Sequence, residues 1–321
     1  MTPVANFSSI YLALLAVIGG LLLLIAGGES LINGAVRLAR RLGMSPLIIG
    51  LTIVAFGTSV PELFVSLTAA VQGHQDIMIG NVVGSNIANI GLILGVCALL
   101  APLTLTFKEV RIELLLVVGG SVMLMLSAAY GFFFRALGGA FVLSLVSYTI
   151  ILYRNHMGAG NGLSTEVEGI TKNHKFLLTA LLWILLGLLL LAGGSHLFIS
   201  GAIDVARFLG VSDLIIGLTM AAIGTSLPEL ASSISALRRK ETGLLIGNVI
   251  GSNMFNLFMV LGLTGLIKPF QLSADLLRRD LPVMLAFTLI LVPVLYREGS
   301  TSRWHGALLL GGYLLYCLSL R

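Results

Sequence analysis

The sequence predicts an all-α integral membrane protein with ten transmembrane helices in two inverted-topology five-helix repeats. Three observations carry that prediction. First, the 321 residues are 57% hydrophobic and 10% charged, where soluble proteins are roughly 25% charged, and the mean hydropathy is +1.03. No soluble core needs that much apolar sequence. Second, the chain is written twice. Gly57-Thr58-Ser59-Val60-Pro61-Glu62 returns as Gly224-Thr225-Ser226-Leu227-Pro228-Glu229, and between Leu42–Glu62 and Leu209–Glu229 15 of 21 positions are identical at an offset of 167 residues. The stretch from Gly80-Asn81 through Gly84-Ser85-Asn86 to Asn89 returns at the same offset as Gly247-Asn248, Gly251-Ser252-Asn253 and Asn256. Third, each half holds five apolar runs. An odd number forces two similar halves to insert in opposite orientations, related by an axis in the membrane plane.

A helix needs about 20 apolar residues to cross about 30 Å of hydrocarbon. On that ruler the first span covers about residues 9–36 and is long enough to tilt. No basic stretch precedes it, so it is expected to span the membrane and not to be a cleaved signal. The next four spans cover about 46–71, 77–101, 110–129 and 133–153. A polar linker, 154–175, separates the first repeat (1–153) from the second (176–321). The second repeat's spans fall at about 176–206, 213–237, 243–267, 280–296 and 304–320. With the N-terminus outside, the inner loops carry 13 of the 19 Lys and Arg residues and the outer side carries 6. The positive-inside rule therefore favours both termini outside and a cytoplasmic linker. The net charge of +5 reads as topology and not as nucleic-acid binding, because the basic residues are scattered over short loops. Cys97 and Cys317 both lie in apolar runs and read as small core residues.

Of the 14 acidic residues, Glu62 and Glu229 alone are placed deep inside spans. Glu113, Asp204 and Asp280 are assigned near span ends, and Glu29 late in the first span. A carboxylate at a helix centre costs about 2.5–3.5 kcal/mol on insertion scales. Two of them at matching places, with no intramembrane Lys or Arg beside them, call for a bound cation as counter-charge. Pro61 and Pro228 each free a carbonyl about one turn earlier, near Gly57 and Gly224. In a bilayer such broken backbone is tolerated only where it is buried in protein or lines a cavity. Carbonyls from Ala55 to Thr58 and from Ala222 to Thr225, the hydroxyls of Thr58, Ser59, Thr225 and Ser226, and the two carboxylates then make an all-oxygen set suited to hard cations such as Ca²⁺ and Na⁺. Ser85 and Asn89 share one helix face, as do Ser252 and Asn256; Asn81 and Asn86 are assigned to other faces. Gly80, Gly84 and Gly91 are expected to let helices approach closely. No zinc-spaced Cys/His set, phosphate loop or Ser/His/Asp set appears, so no enzyme is expected.

The paired GTS(V/L)PE and GNVxGSN motifs resemble the α-repeats of the calcium:cation antiporter superfamily, specifically its sodium/calcium exchanger branch and prokaryotic members. The resemblance covers essentially the whole chain. It implies a secondary active antiporter of the prokaryotic inner or plasma membrane that exchanges Na⁺ for Ca²⁺ by alternating access, with no cofactor and with the lipid bilayer as its surroundings. The matching calcium ligands are Thr58, Glu62, Thr225 and Glu229. Sodium ligands draw on these and on Ala55, Ser59, Ser85, Ala222, Ser226 and Ser252, while Asn89 and Asn256 match the two remaining central positions. Some relatives carry Asp at one of those two; with Asn at both, the site's charge is −2, which Ca²⁺ neutralises and three Na⁺ exceed by one. Proton-coupled relatives carry Glu where this chain has Gly84 and Gly251. That favours Na⁺ over H⁺, with a Ca²⁺/H⁺ antiporter of the same fold as the alternative and a cation channel as a distant third. The long, glycine-containing first and sixth spans are the expected sliding elements.

Overall fold

The computed structural model describes residues 7–104, 107–159, 174–210, 224–298 and 300–320. The first helix, α1 (Ile10–Leu42), is capped by the Ser9 side chain and ends on Gly43 in the left-handed region, φ 63°. The next apolar run is broken in two. Helix α2 (Pro46–Thr58) and helix α3 (Val60–Gln72) meet at a 42° bend. The break sits where proline forbids a continuous ladder, with Ser59 at φ −85°, ψ 0° and Pro61 in the first turn of α3. Helices α4 (Gln75–Leu100), α5 (Phe107–Ala129) and α6 (Arg135–Ala159) complete the first half. Helix α7 (His174–Phe208) opens the second. Helix α8 (Leu227–Arg238) follows; residues 213–223, the start of the expected seventh span, lie outside the described residues. Helices α9 (Thr242–Ile267), α10 (Leu281–Glu298) and α11 (Arg303–Ser319) finish the fold.

Among the described residues six helices are long and apolar enough to cross a membrane, or seven with α2 and α3 taken as one bent span. The apolar stretches of α4 and α9 are 78% and 100% buried, whereas those of α1 and α7 are 28% buried and that of α6 22%. The motif-bearing helices are thus the middle of the molecule, and the others form its wall.

Glycine decides how closely these helices approach. Gly20, Gly27 and Gly34 of α1 and Gly187, Gly194 and Gly201 of α7 recur every seven residues. They meet backbone across an antiparallel seam: a Cβ on Gly20 would lie 2.4 Å from the Phe198 nitrogen, and one on Gly187 2.5 Å from the Leu31 nitrogen. A seven-residue repeat keeps one stripe of each helix facing the other. At the centre, Gly247 meets the Leu47 carbonyl and Gly251 the Ala55 Cβ, so α9 lies directly on α2. The expected close approach holds at Gly91, which faces Tyr313 and Phe287. Among the described residues nothing approaches Gly80 or Gly84; the residues equivalent to those that cover Gly247 and Gly251 lie in 211–223.

Two short antiparallel pairings tie the halves together. Strand β1 (Leu103–Thr104) pairs with β4 (Ser300–Thr301), and β2 (Phe132–Phe133) with β3 (Phe270–Gln271). Glu113 and Asp204, which the sequence places near span ends, are buried. Each is satisfied by a partner: Tyr148 donates to Glu113, and the Phe7 N–H donates to Asp204 at 2.8 Å with Arg207 at 3.3 Å. Glu29, at the surface of α1, pairs with Arg239 (Nε to Oε2, 3.0 Å) and Arg238 (3.6 Å) at the C-terminal end of α8.

Candidate cation site

The two breaks are built alike. Ser226 has φ −88°, ψ 4°, as Ser59 does, and Pro228 opens α8 as Pro61 opens α3. Each break puts a glutamate in the first turn of the following helix, where the unsatisfied N–H groups favour a negative charge. Glu62 and Glu229 are both 1% exposed, and each lies within electrostatic reach of the other. The carbonyl that Pro228 frees, Gly224 O, accepts the Ser195 hydroxyl at 2.8 Å. In the first half the position equivalent to Ser195 is Gly28.

The second motif closes the site from the middle of the molecule. In α4 and α9 the backbone loosens into a π turn that begins at Asn89 (Asn89–Leu94) and at Asn256 (Asn256–Leu261). Such single π turns recur at functional sites. Helix α3 packs on the turn at Asn256, and α8 packs on the turn at Asn89. Each glutamate helix therefore meets the asparagine turn of the other half.

The hydrogen-bond inventory singles out the same residues. Twelve buried side-chain atoms among the described residues have no hydrogen-bond partner in the protein. Ten belong to sequence-predicted site residues: Ser59 Oγ, both oxygens of Glu62 and of Glu229, Asn89 Oδ1, Ser226 Oγ, Ser252 Oγ, and Oδ1 and Nδ2 of Asn256. The other two are Asn86 Oδ1 and the Tyr313 hydroxyl. An unsatisfied buried polar atom costs about 1–3 kcal/mol, and a charged one more. Two carboxylates together with five neutral polar side chains are a set that a ligand bringing positive charge would satisfy. Nine of the ten atoms are oxygens, a donor set for a hard cation.

The remaining predicted residues are engaged. The Thr58 hydroxyl donates to Asn248 Oδ1 at 3.3 Å and that of Thr225 to Asn81 Oδ1 at 3.2 Å. Ser85 Oγ is 3.4 Å from the Thr225 hydroxyl. Asn89 Nδ2 donates to Asn253 Oδ1 at 2.9 Å. Ala55 is fully buried, and its carbonyl accepts the Ser59 N–H at 3.0 Å. Ala222 lies outside the described residues. The assignment of Asn81 to another face is corrected: it reaches Thr225, as Ser85 does, because a spacing of four keeps the two on one side of α4. Sequence reasoning also passed over Asn248, Ser66, Ser232 and Ser233, which surround the site through hydrogen bonds; a second copy of Asn81 at Asn248 was the available signal. A cavity of about 180 Å³ runs between α7 and the two breaks, lined by Thr58, Pro61, Leu188, Leu191 and Pro228 among others.

Comparison with known proteins identifies the family. The family profile described as sodium/calcium exchanger protein matches residues 12–154 and 179–320. The putative antiporter CaxA of Alkalimonas amylolytica is 40% identical over 309 residues, covering 95% of this chain and 97% of that protein. The sodium/calcium exchanger MaX1 of Methanosarcina acetivorans is 32% identical over 342 residues, covering 94% and 96%. The solved structure of the sodium–calcium exchanger NCX_Mj superposes with a TM-score of 0.83 at 31% identity, covering 98% of this chain and 100% of that one. The chain thus belongs to the sodium/calcium exchanger family of membrane cation antiporters.

Proposed function

We propose that this protein exchanges Na⁺ for Ca²⁺ across a prokaryotic inner membrane by alternating access. In this reading the chain has ten spans in two inverted halves joined by a cytoplasmic linker, 154–175, with both termini outside. One observation carries the proposal: the clustered buried oxygens of Ser59, Glu62, Asn89, Ser226, Glu229, Ser252 and Asn256 lack partners within the protein. Thr58, Glu62, Thr225 and Glu229 hold Ca²⁺. Sodium ions use these with Ala55, Ser59, Ser85, Ala222, Ser226 and Ser252, and Asn89 and Asn256 complete the centre.

Charge supplies the coupling. Two bare carboxylates in a dry site repel each other and have lost their water. A loaded site can be occluded and re-exposed, whereas an unloaded one cannot, and this enforces exchange over leak. Ca²⁺ neutralises the two carboxylates; three Na⁺ leave one net charge, so three-for-one exchange moves charge worth about 2.3 kcal/mol per 100 mV. The mobile element is the α1–α7 pair, fused by its glycine seam, with the cavity along α7 beside the breaks.

The test is ⁴⁵Ca²⁺ uptake into proteoliposomes loaded with Na⁺, with K⁺ or choline as controls, for the wild type and Glu62→Gln. Uptake that needs internal Na⁺ and disappears in the variant supports the proposal. Uptake that ignores Na⁺ and follows a pH gradient transfers the reading to Ca²⁺/H⁺ exchange, with the carboxylates themselves as proton carriers.

A further inference from the structure

Two asparagines lie outside the proposed ligand set yet bridge the halves within it. We propose that Asn81 and Asn248 are positioning residues that fix the donor direction of the Thr225 and Thr58 hydroxyls, so that each threonine oxygen offers only lone pairs to a cation. The inference rests on the transport reading above for its cation and on hydrogen-bond chemistry for its direction.

The direction follows one bond at a time. Asn81 Nδ2 faces the Glu62 backbone carbonyl at 3.2 Å and Ser66 Oγ at 2.9 Å. A carbonyl can only accept, so the amide nitrogen must be on that side and Oδ1 on the other. Oδ1 in turn can only accept, so the Thr225 hydroxyl 3.2 Å away must donate. The second half repeats the logic. Ser232 Oγ already donates to the Glu229 carbonyl at 3.0 Å. It can therefore only accept from Asn248 Nδ2 at 3.1 Å, which also reaches Ser233 Oγ at 3.1 Å. Asn248 Oδ1 is left to take the Thr58 proton at 3.3 Å.

A hydroxyl has one proton and two lone pairs. With the proton committed to asparagine, the threonine oxygen faces the site as an acceptor. The alternatives are poor. Without Asn248 the Thr58 hydroxyl is left with the Ala55 carbonyl at 3.5 Å or the Glu229 carboxylate as its acceptor; without Asn81 the Thr225 hydroxyl keeps Ser85 Oγ at 3.4 Å. Ala55 and Ser85 are both proposed ligands, so a redirected proton would occupy a second oxygen of the site. Each chain of bonds also crosses the molecule: the Glu62 segment sets Thr225, and the Glu229 segment sets Thr58.

A double-mutant cycle on the half-saturating Ca²⁺ concentration for proteoliposome uptake tests this. Asn248→Leu should raise it about tenfold, the loss of roughly one good hydrogen bond's worth of ligand quality. In Thr58→Val, which has no proton to direct, adding Asn248→Leu should raise it no further. In Thr58→Ser, which keeps the hydroxyl, the tenfold rise should return. A purely structural asparagine would lower the melting temperature and multiply its effect equally in all three backgrounds, and that result overturns the proposal, as does an unchanged half-saturation. Where Asn248→Leu does not fold, the cycle of Asn81→Leu with Thr225→Val, at half-buried positions, decides between the two outcomes. A wild type that takes up no Ca²⁺ overturns the transport reading instead; the bond direction is then read from the Ca²⁺-dependent rise in melting temperature in the same variants.

Discussion

Replacing Gly20 by alanine tests the seam between α1 and α7. The added Cβ would stand 2.4 Å from the Phe198 nitrogen and 2.7 Å from its Cα, where ordinary contact begins at 3.4 Å. The shortfall is about 1 Å. The obstacle is backbone, so no rotamer change relieves it and the helices must part. Overpacking of this kind costs about 1–3 kcal/mol. Alanine also improves on glycine in a helix by about 0.8–1.0 kcal/mol, so the net loss for Gly20→Ala is up to about 2 kcal/mol. Gly193→Ala on the same helix pair is the control: among the described residues nothing lies within 4 Å of its Cβ, so it should gain that helical increment. Thermal unfolding of the purified protein in detergent should therefore separate the two alanines by about 1–3 kcal/mol. Gly187→Ala should follow Gly20→Ala. Gly19→Ala, whose Cβ would meet only Leu197 Cδ2 at 3.5 Å, should follow Gly193→Ala. If Gly20→Ala unfolds at the same temperature as Gly193→Ala, the helices are not in backbone contact and the reasoning fails.

Three further outcomes are expected. Glu229→Gln should weaken Ca²⁺ uptake by more than about 100-fold, because it leaves one carboxylate to balance a divalent ion in a buried site; uptake within a few-fold of wild type would remove Glu229 from the ligands. A disulfide between Gly28→Cys and Ser235→Cys, with Cys97 and Cys317 replaced, should stop exchange while sparing Ca²⁺ binding. A Cβ on Gly28 would lie 2.6 Å from Ser235 Oγ, so the two positions face each other, and exchange that continues in the oxidised protein would refute movement of α1 against α8. Glu29→Gln should change stability by less than about 1 kcal/mol, and less still in high salt, because Glu29 and Arg239 are 30% and 33% exposed; a larger loss in a melt would mean that the pair is shielded by more than these side chains.

Much of the site was readable in one dimension because duplication marks what both halves need. Glu62 and Glu229 stood out by burial cost alone, and the prolines before them announced the bend at Ser59 and the matching backbone turn at Ser226. The hydroxyls followed from the motif. What stayed hidden depends on distance across the molecule. That Asn81 faces Thr225, in the other half, cannot be read from its own helix. The π turns at Asn89 and Asn256 shift the register of α4 and α9 by part of a turn, which a fixed period of 3.6 residues does not anticipate. Glu113 and Asp204 do lie near helix ends, as the ruler places them; their burial, which rests on Tyr148 and the Phe7 N–H as partners, is what composition does not give.

The two small strand pairings and the two threonine–asparagine bonds share a property. Leu103 pairs with Thr301 as Phe270 pairs with Phe133, and Thr58 bonds to Asn248 as Thr225 bonds to Asn81. Position i of one half touches j of the other, and j touches i. That reciprocity defines the isologous interface of a two-fold dimer. The chain thus carries an internal subunit boundary, and a half expressed alone would expose the surface that its twin covers. Fusion also freed the halves from identity. Ser195 caps a freed carbonyl where its counterpart, Gly28, has no side chain, a distinction that no homodimer could encode.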